Sequence, residues 1–230
     1  PERRNATSIG LLEEAIRLIR GLDKDQCVLV IRGEGSHFCA GIDLDEVLES
    51  TETCFRLLEL LSQFMRAVRR VPAITIAPVQ GAAIGGGFGL LCACDFAIGT
   101  PNTKVGYPPI ELGLSPALMT PWLVQKIGPS SARAFMLRGG TTTGTEAARL
   151  GLLTDLVAEE ELSESTDRLA DQLLGVDPTA LQTTKRYLNH FEGSDQDVIL
   201  DHAADVSATL MSRDATQRRV FSFRQQSNPH

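Results

Sequence analysis

Two glycine-bearing segments hold the residues whose types and spacing could support chemistry. They are Gly33–Leu44 (GEGSHFCAGIDL) and Val79–Asp95 (VQGAAIGGGFGLLCACD). Each is typical of a turn that leads into a helix, and such a turn can aim a free backbone N–H group at one point. Two N–H groups about 3 Å from a developing oxygen anion form an oxyanion hole, often the largest catalytic contribution in acyl chemistry. Taken alone, the first segment is more simply a strand-to-helix loop, and the second is ambiguous between close ligand approach and helix–strand packing.

Other common site motifs are absent from the sequence. Neither segment fits the dinucleotide fingerprint G-x-G-x-x-G or the phosphate loop G-x-x-x-x-G-K-[ST], and the chain has no G-x-S-x-G nucleophile elbow. Cys92 and Cys94 form a C-x-C pair, but no histidine or second cysteine pair stands nearby at zinc spacing. We therefore expect no metal site.

The bulk composition narrows the class of protein. The chain has 230 residues, of which 43% are hydrophobic, and a formal net charge of −7; this is typical of a soluble globular protein and disfavours a nucleic-acid partner. Five cysteines, mostly in apolar stretches, indicate reduced thiols and a cytoplasmic location. No apolar run approaches the length of a membrane span, so we expect no membrane association. The chain starts at Pro1 without methionine, and we expect that N-terminal strands or a targeting segment of the native protein are missing from it.

Hydrophobic periodicity predicts strands alternating with helices, followed by helices only. Thr7 and Ser8 are candidate caps of a first helix, and a second is predicted over 52–70. The apolar stripe of the first helix is Leu11, Leu12, Ala15, Ile16 and Ile19, and that of the second is Phe55, Leu58, Leu61, Met65 and Val68. Strands are predicted at 27–32, over 74–84 as one strand or a pair of strands, and at 95–99, 103–107 and 153–158. Helices are predicted at 86–94, 116–126, from 129, 145–150, 159–174, 178–191, 195–211 and 213–225. This order predicts an α/β core with an appended helical region.

Four segments together resemble the enoyl-CoA hydratase/isomerase (crotonase) family in order and spacing. They are FCAGIDL at 38–44, AAIGGGFGLLCACD at 82–95, VGYPPIELGLSP at 105–116 and RLGLLTDLV at 149–157. The resemblance covers nearly the whole chain and implies an α/β fold, a spiral of ββα turns with a C-terminal all-helical region. It implies a core at 1–158, lacking its first strands, and a trimerisation region at 159–230. The implied assembly is a homotrimer or a dimer of trimers.

The same resemblance implies a coenzyme A thioester as the substrate, with no separate cofactor because coenzyme A is part of the substrate. Transferred onto this sequence, the two oxyanion-hole donors are the backbone N–H groups of Ile42 and Gly86. The main chain of Ala40 would contact the adenine. The other residues implied to line the site for substrate or coenzyme A are Phe38, Gly41, Asp43, Gly87, Tyr107 and Pro109.

The sequence departs from the family's hydratases at two positions. Where those enzymes carry glutamates, this chain has Gly89 and Pro109, and addition of water to an enoyl thioester needs both a base and a proton source. Glu111 is the first candidate substitute, against the simpler interpretation of a solvated glutamate; His37 and Tyr107 follow. The expected function is thus nominally that of an enoyl-CoA hydratase/isomerase. A decarboxylase, a thioester hydrolase and an inactive acyl-CoA-binding protein remain as alternatives.

Overall fold

Two β-sheets organise the fold, seen in a computed structural model that describes residues 3–23, 25–107 and 113–227. The strands are β1 (Val28–Val30), β2 (Ile74–Val79), β3 (Ala82–Ile84), β4 (Phe96–Gly99), β5 (Lys104–Tyr107), β6 (Gly140–Thr143) and β7 (Asp155–Leu156). The first sheet has the order β1-β2-β4-β7 and is parallel throughout. The second has the order β3-β5-β6, with β3 parallel and β6 antiparallel to β5. The predicted α/β class is confirmed.

Successive stretches of chain repeat one pattern of two strands followed by a helix. The helices of the core are α1 (Ile9–Arg20), α2 (Leu44–Glu49), α3 (Thr51–Arg70), α4 (Gly86–Ala93), α5 (Thr120–Ile127), α6 (Pro129–Arg138) and α7 (Gly144–Leu150), with a 3₁₀ turn at Ala117–Met119. β2 joins the first sheet, β3 the second, and α4 follows; β4, β5 and α5 repeat this order. This is the ββα turn that the family resemblance implies.

Four helices follow the last strand. They are α8 (Leu162–Leu174), α9 (Pro178–Phe191), α10 (Asp197–Met211) and α11 (Asp214–Ser227), after a 3₁₀ turn at Glu159–Glu161. α8 and α9 pack against the first sheet, α10 packs against α3, and α11 contacts α2. The predicted helical region is therefore present, while its division from the core at residue 158 stays a prediction. None of the helices in the described ranges is both long and apolar enough to cross a membrane.

The start of α1 and two of the predicted core positions differ from expectation. Ser8 caps α1 by accepting from the Leu11 N–H, whereas Thr7 forms a β-bridge with Ile42. Leu11 and Phe55 were expected to face inward, which is wrong, since they are 45% and 37% exposed. Each lies one residue, about 100° of helix rotation, away from a fully buried neighbour, Leu12 or Cys54.

The five cysteines give a prediction about thiol reactivity. All are free, and four are buried; burial raises the pKa of Cys39 and Cys54 to about 11 and that of Cys92 and Cys94 to about 12. Because the thiolate is the reacting form, we expect only Cys27 to react rapidly with an aromatic disulfide reagent at pH 8. A Cys27→Ser variant should then show no fast thiol, and denaturation should expose the remaining four. A second fast thiol in that variant would contradict the buried placement.

Candidate active site

The two glycine-bearing turns lie side by side. Cys39 and Ala83 form a parallel bridge, in which the Cys39 N–H donates to the Ala82 carbonyl at 3.0 Å and the Ile84 N–H donates to the Cys39 carbonyl at 2.9 Å. Further along, a Cβ placed on Gly85 would lie 3.6 Å from the Gly41 Cα. The two segments are therefore joined by backbone hydrogen bonds at Cys39 and packed closely at Gly41 and Gly85. Residues 40–42 and 84–86 lie next to each other as a result.

The N–H group of Ile42 is directed away from the bridge that holds it. In the Thr7–Ile42 bridge, the Thr7 N–H donates to the Gly41 carbonyl at 2.8 Å and the Asp43 N–H donates to the Thr7 carbonyl at 2.9 Å. A parallel bridge uses the peptide groups on either side of Ile42, so the N–H of Ile42 itself points to the opposite side. It donates to no other residue among those described.

The N–H group of Gly86 is free because it stands in the first turn of α4. The first intrahelical bond there runs from the Gly89 N–H to the Gly85 carbonyl at 3.0 Å, which leaves the preceding donors without helical acceptors. Gly86 makes no backbone bond elsewhere in the described part of the chain. Its position at the helix N-terminus adds the positive end of the dipole, which favours an anionic oxygen.

Both free donors belong to residues that line one cavity of about 260 Å³. The turns contribute Ala40, Gly41, Ile42, Ile84, Gly85 and Gly86 to its wall. The opposite wall is mostly apolar and is built from α3, the segment 114–119, α10 and α11; it includes Leu58, Leu61, Leu114, Leu118, Met119, Ser207, Met211 and Phe223. An oxygen held by the donors would thus carry its substituent into an apolar chamber.

Tyr107 is the one titratable side chain among all the described residues that line the cavity. It is 5% exposed, and its burial raises the pKa of the phenol far above neutral. The hydroxyl is therefore protonated at neutral pH and available as a hydrogen-bond donor. It cannot serve as a general base under those conditions.

The structure brings five of the site residues predicted from sequence together and places three elsewhere. Ala40, Gly41, Ile42, Gly86 and Tyr107 line the cavity, whereas Phe38, Asp43 and Gly87 do not. Pro109 and Glu111 lie outside the residues that the structure describes.

The three residues outside the cavity wall build the turns instead. Phe38 is buried in the core. Asp43 caps α2 by accepting from the Asp45 N–H at 2.9 Å, and it pairs with Arg3. A Cβ on Gly87 would lie 2.6 Å from the Cys39 Cβ and from its carbonyl oxygen, so glycine permits α4 to pack directly on the first turn.

Ser207 is a cavity residue that sequence reasoning missed. Its hydroxyl accepts from the Leu118 N–H at 2.9 Å and donates to the Ser115 carbonyl at 3.3 Å. These bonds tie α10 to the segment that follows β5, across about ninety residues of sequence. No local pattern marks such a residue, because a serine inside an amphipathic helix is unremarkable on its own.

Comparisons with known proteins identify the family of this chain. The family described as Enoyl-CoA hydratase/isomerase matches residues 1–230. The chain is 32% identical over 198 residues to the enoyl-CoA isomerase/hydratase fer4 of Mycosarcoma maydis, covering 80% of this chain and 72% of that protein. It is 33% identical over 172 residues to the enoyl-CoA hydratase ACTT6 of Alternaria alternata, covering 73% of this chain and only 56% of that relative.

A solved structure shares the fold of this chain. An enoyl-CoA hydratase from Bacillus halodurans superposes with a TM-score of 0.87, over 96% of this chain and 92% of that chain, at 22% identity. At that identity the likeness establishes the shared architecture and nothing finer. With the family match over the full sequence, it follows that this chain belongs to the enoyl-CoA hydratase/isomerase (crotonase) family.

Proposed function

We propose that this protein is an enzyme that binds an acyl-CoA thioester and holds its carbonyl oxygen between the N–H groups of Ile42 and Gly86. The observation that carries the proposal is that these two donors have no acceptor among the described residues while both residues border one cavity. When an enolate-like oxygen develops, both donors and the N-terminus of α4 stabilise its charge. The acyl group occupies the apolar chamber beyond them.

The coenzyme A moiety is proposed to contact the first turn. The Ala40 N–H is already bonded to the Arg4 carbonyl at 3.0 Å, so the Ala40 carbonyl is the main-chain group left for the adenine amino group. Coenzyme A enters as part of the substrate, and we propose no separate cofactor. Assembly as a homotrimer or a dimer of trimers is proposed as well, supported by large exposed apolar side chains such as Phe191 and Val198, which are 78% and 83% exposed.

The reaction that we propose is hydration or isomerisation of an enoyl thioester, with Glu111 as the acid–base group. Its support is the family membership together with the position of Glu111 two residues beyond the segment's glutamate position, Pro109. The alternative is a reaction that needs the oxyanion hole more than a base. Decarboxylation is of this kind, since loss of carbon dioxide itself leaves the enolate, and a wall whose one described titratable group is Tyr107 favours it. Thioester hydrolysis and inactive binding are the remaining alternatives.

The deciding experiment follows loss of the enoyl absorbance of crotonyl-CoA, with the product identified by mass spectrometry and thioester binding measured by calorimetry. We expect conversion to the hydroxyacyl thioester, and a Glu111→Gln variant should lower the rate by about 10²–10⁴-fold. If Glu111→Gln has no effect on an active enzyme, another group is the base. Binding without conversion would reject the hydratase assignment, and a malonyl-type thioester would then test decarboxylation.

A further inference from the structure

A second cleft, of about 640 Å³, lies between the end of α4 and helices α8 and α9. It shares no lining residue with the cavity at the oxyanion hole. Three basic side chains reach it, Arg69 from α3, Lys126 from α5 and Lys185 from α9, and we call it the cationic cleft. Two acidic side chains, Asp95 and Glu192, also line it.

Both carboxylates in the cationic cleft are already paired with basic side chains of the same cleft. The Lys185 Nζ donates to Asp95 Oδ2 at 2.7 Å, and also to the Ala73 carbonyl at 2.7 Å. The same Asp95 oxygen accepts from the Thr75 N–H and hydroxyl at 2.7 and 2.8 Å. Glu192 Oε2 accepts from Arg69 Nη2 at 2.5 Å. These pairs neutralise two of the three cations.

Lys126 is left without a carboxylate partner. Its Nζ makes one hydrogen bond among the described residues, to the Cys94 carbonyl at 3.2 Å, although an ammonium has three donors. That carbonyl stands at the C-terminus of α4, whose dipole supplies only about half a negative charge. Burial lowers the pKa of the Lys126 amine, as expected for an ammonium that has lost water and gained too few acceptors.

Arg69 adds a second unused donor to the same cleft. Its Nε is fully buried and has no hydrogen-bond partner among the residues described. A buried donor without an acceptor is destabilising because it has lost its hydrogen bonds to water, so such an atom needs an explanation. An oxygen anion bound at Lys126 would lie in the same cleft as the positive charge of Arg69.

The rest of the cationic cleft is mostly apolar, with Thr154, Thr184 and Asn189 as its uncharged polar residues. Ile74 and Leu173 are buried in its wall, whereas Val176 and Leu188 near its edge are 44% and 47% exposed. Leu181 of α9 lines the cleft as well. The cleft therefore combines an apolar surface with unsatisfied cationic donors, and its volume falls in the range of small-molecule sites, about 300–1,000 Å³.

We propose that the cationic cleft binds a free amphipathic carboxylate of the fatty-acid type. The carboxylate accepts a hydrogen bond from Lys126 and lies in the same cleft as the positive charge of Arg69, and the alkyl chain lies along Leu173, Leu181 and Leu188. This site is separate from the thioester cavity and does not depend on the function proposed for it.

The test is calorimetric titration of the intact protein with octanoate. A Lys126→Met variant removes the charge and keeps the length of the side chain, so we expect it to weaken octanoate binding by about 10-fold or more. Lys126→Arg keeps the charge and should retain binding. Lys104→Met, at an exposed lysine of β5, is the matched control and should behave as the wild type. Octan-1-ol, which lacks the carboxylate, should bind more weakly.

A photoreactive fatty acid distinguishes the two cavities. Labelling should fall in the segment 173–192, and labelling confined to 114–119 or 207–223 would place the carboxylate in the thioester cavity and overturn the proposal. Unchanged octanoate affinity in a folded Lys126→Met protein would also overturn it. Absence of octanoate binding, together with a lower assembly mass for Lys126→Met in sedimentation, would assign the cleft to contact between copies of the chain instead.

Discussion

Replacing Gly86 with proline is expected to lower kcat for the proposed thioester reaction by about 10²–10³-fold, the loss that removal of one oxyanion donor causes in enzymes. Proline has no N–H group, and its ring would occupy the space in front of the donor. The first helical position is the one that proline tolerates best, so α4 itself should survive. The strain falls on Gly85, whose φ of 54° and ψ of −115° are unsuited to a residue before proline.

A Gly86→Ala variant separates the lost donor from the added bulk. Alanine keeps the N–H, while its Cβ would lie 3.2 Å from Leu61 Cδ2 and 3.3 Å from Ile42 Cγ2. Both contacts are to side-chain methyl groups that can move by a few tenths of an ångström, so we expect kcat to fall far less than in the proline variant. Steady-state kinetics beside thermal unfolding makes the comparison. Equal losses in the two variants would show that space, and not the donor, is what Gly86 provides.

The contact between the two turns could be predicted from the sequence, because their close approach leaves no room for a side chain and therefore requires glycine. A Cβ on Gly81, where φ is 59°, would lie 2.0 Å from the Ser36 carbonyl oxygen, and one on Gly87 would lie 2.6 Å from the Cys39 carbonyl oxygen. The opposite, apolar wall of the cavity could not be predicted in this way, because no residue type is required at its positions. Met119, Met211 and Phe223 reach it from distant parts of the chain through packing, and nothing local distinguishes them from other core residues.

Strand β6 was missed for a different reason. Its sequence GTTT follows Gly139 and reads as a polar loop, although threonine is favoured in strands. The strand is half exposed and, within the described part of the chain, pairs with β5 alone, so it shows none of the apolar alternation by which strands are recognised. The Asp95–Lys185 ion pair could not be predicted from the sequence either. Ninety residues separate the two partners, and they come together only when α9 packs on the sheet.

Replacing Gly89 with glutamate, the residue that the family resemblance implies for hydratases at this position, is expected to lower the free energy of unfolding by more than about 3 kcal/mol. A Cβ here would lie 2.7 Å from Met65 Sδ and 3.0 Å from Met119 Cγ. Met65 is fully buried and Met119 is 6% exposed, so the two thioethers fill the space that a longer side chain needs. The new carboxyl would also be buried without a partner, which raises its pKa.

The space can be reopened from the Met119 side. Met119→Ala alone should cost about 2–5 kcal/mol through the cavity it leaves, but combined with Gly89→Glu it should cost much less than the sum of the two changes. Urea denaturation of the single and double variants, with Gly89→Ala as the control for bulk without charge, measures this coupling. Additive losses would mean that Met119 does not occupy the glutamate's space. If the double variant folds, hydration of crotonyl-CoA above the wild-type rate would show that a carboxylate at position 89 supports this reaction, because the proposed oxyanion donors of Ile42 and Gly86 are unchanged in it.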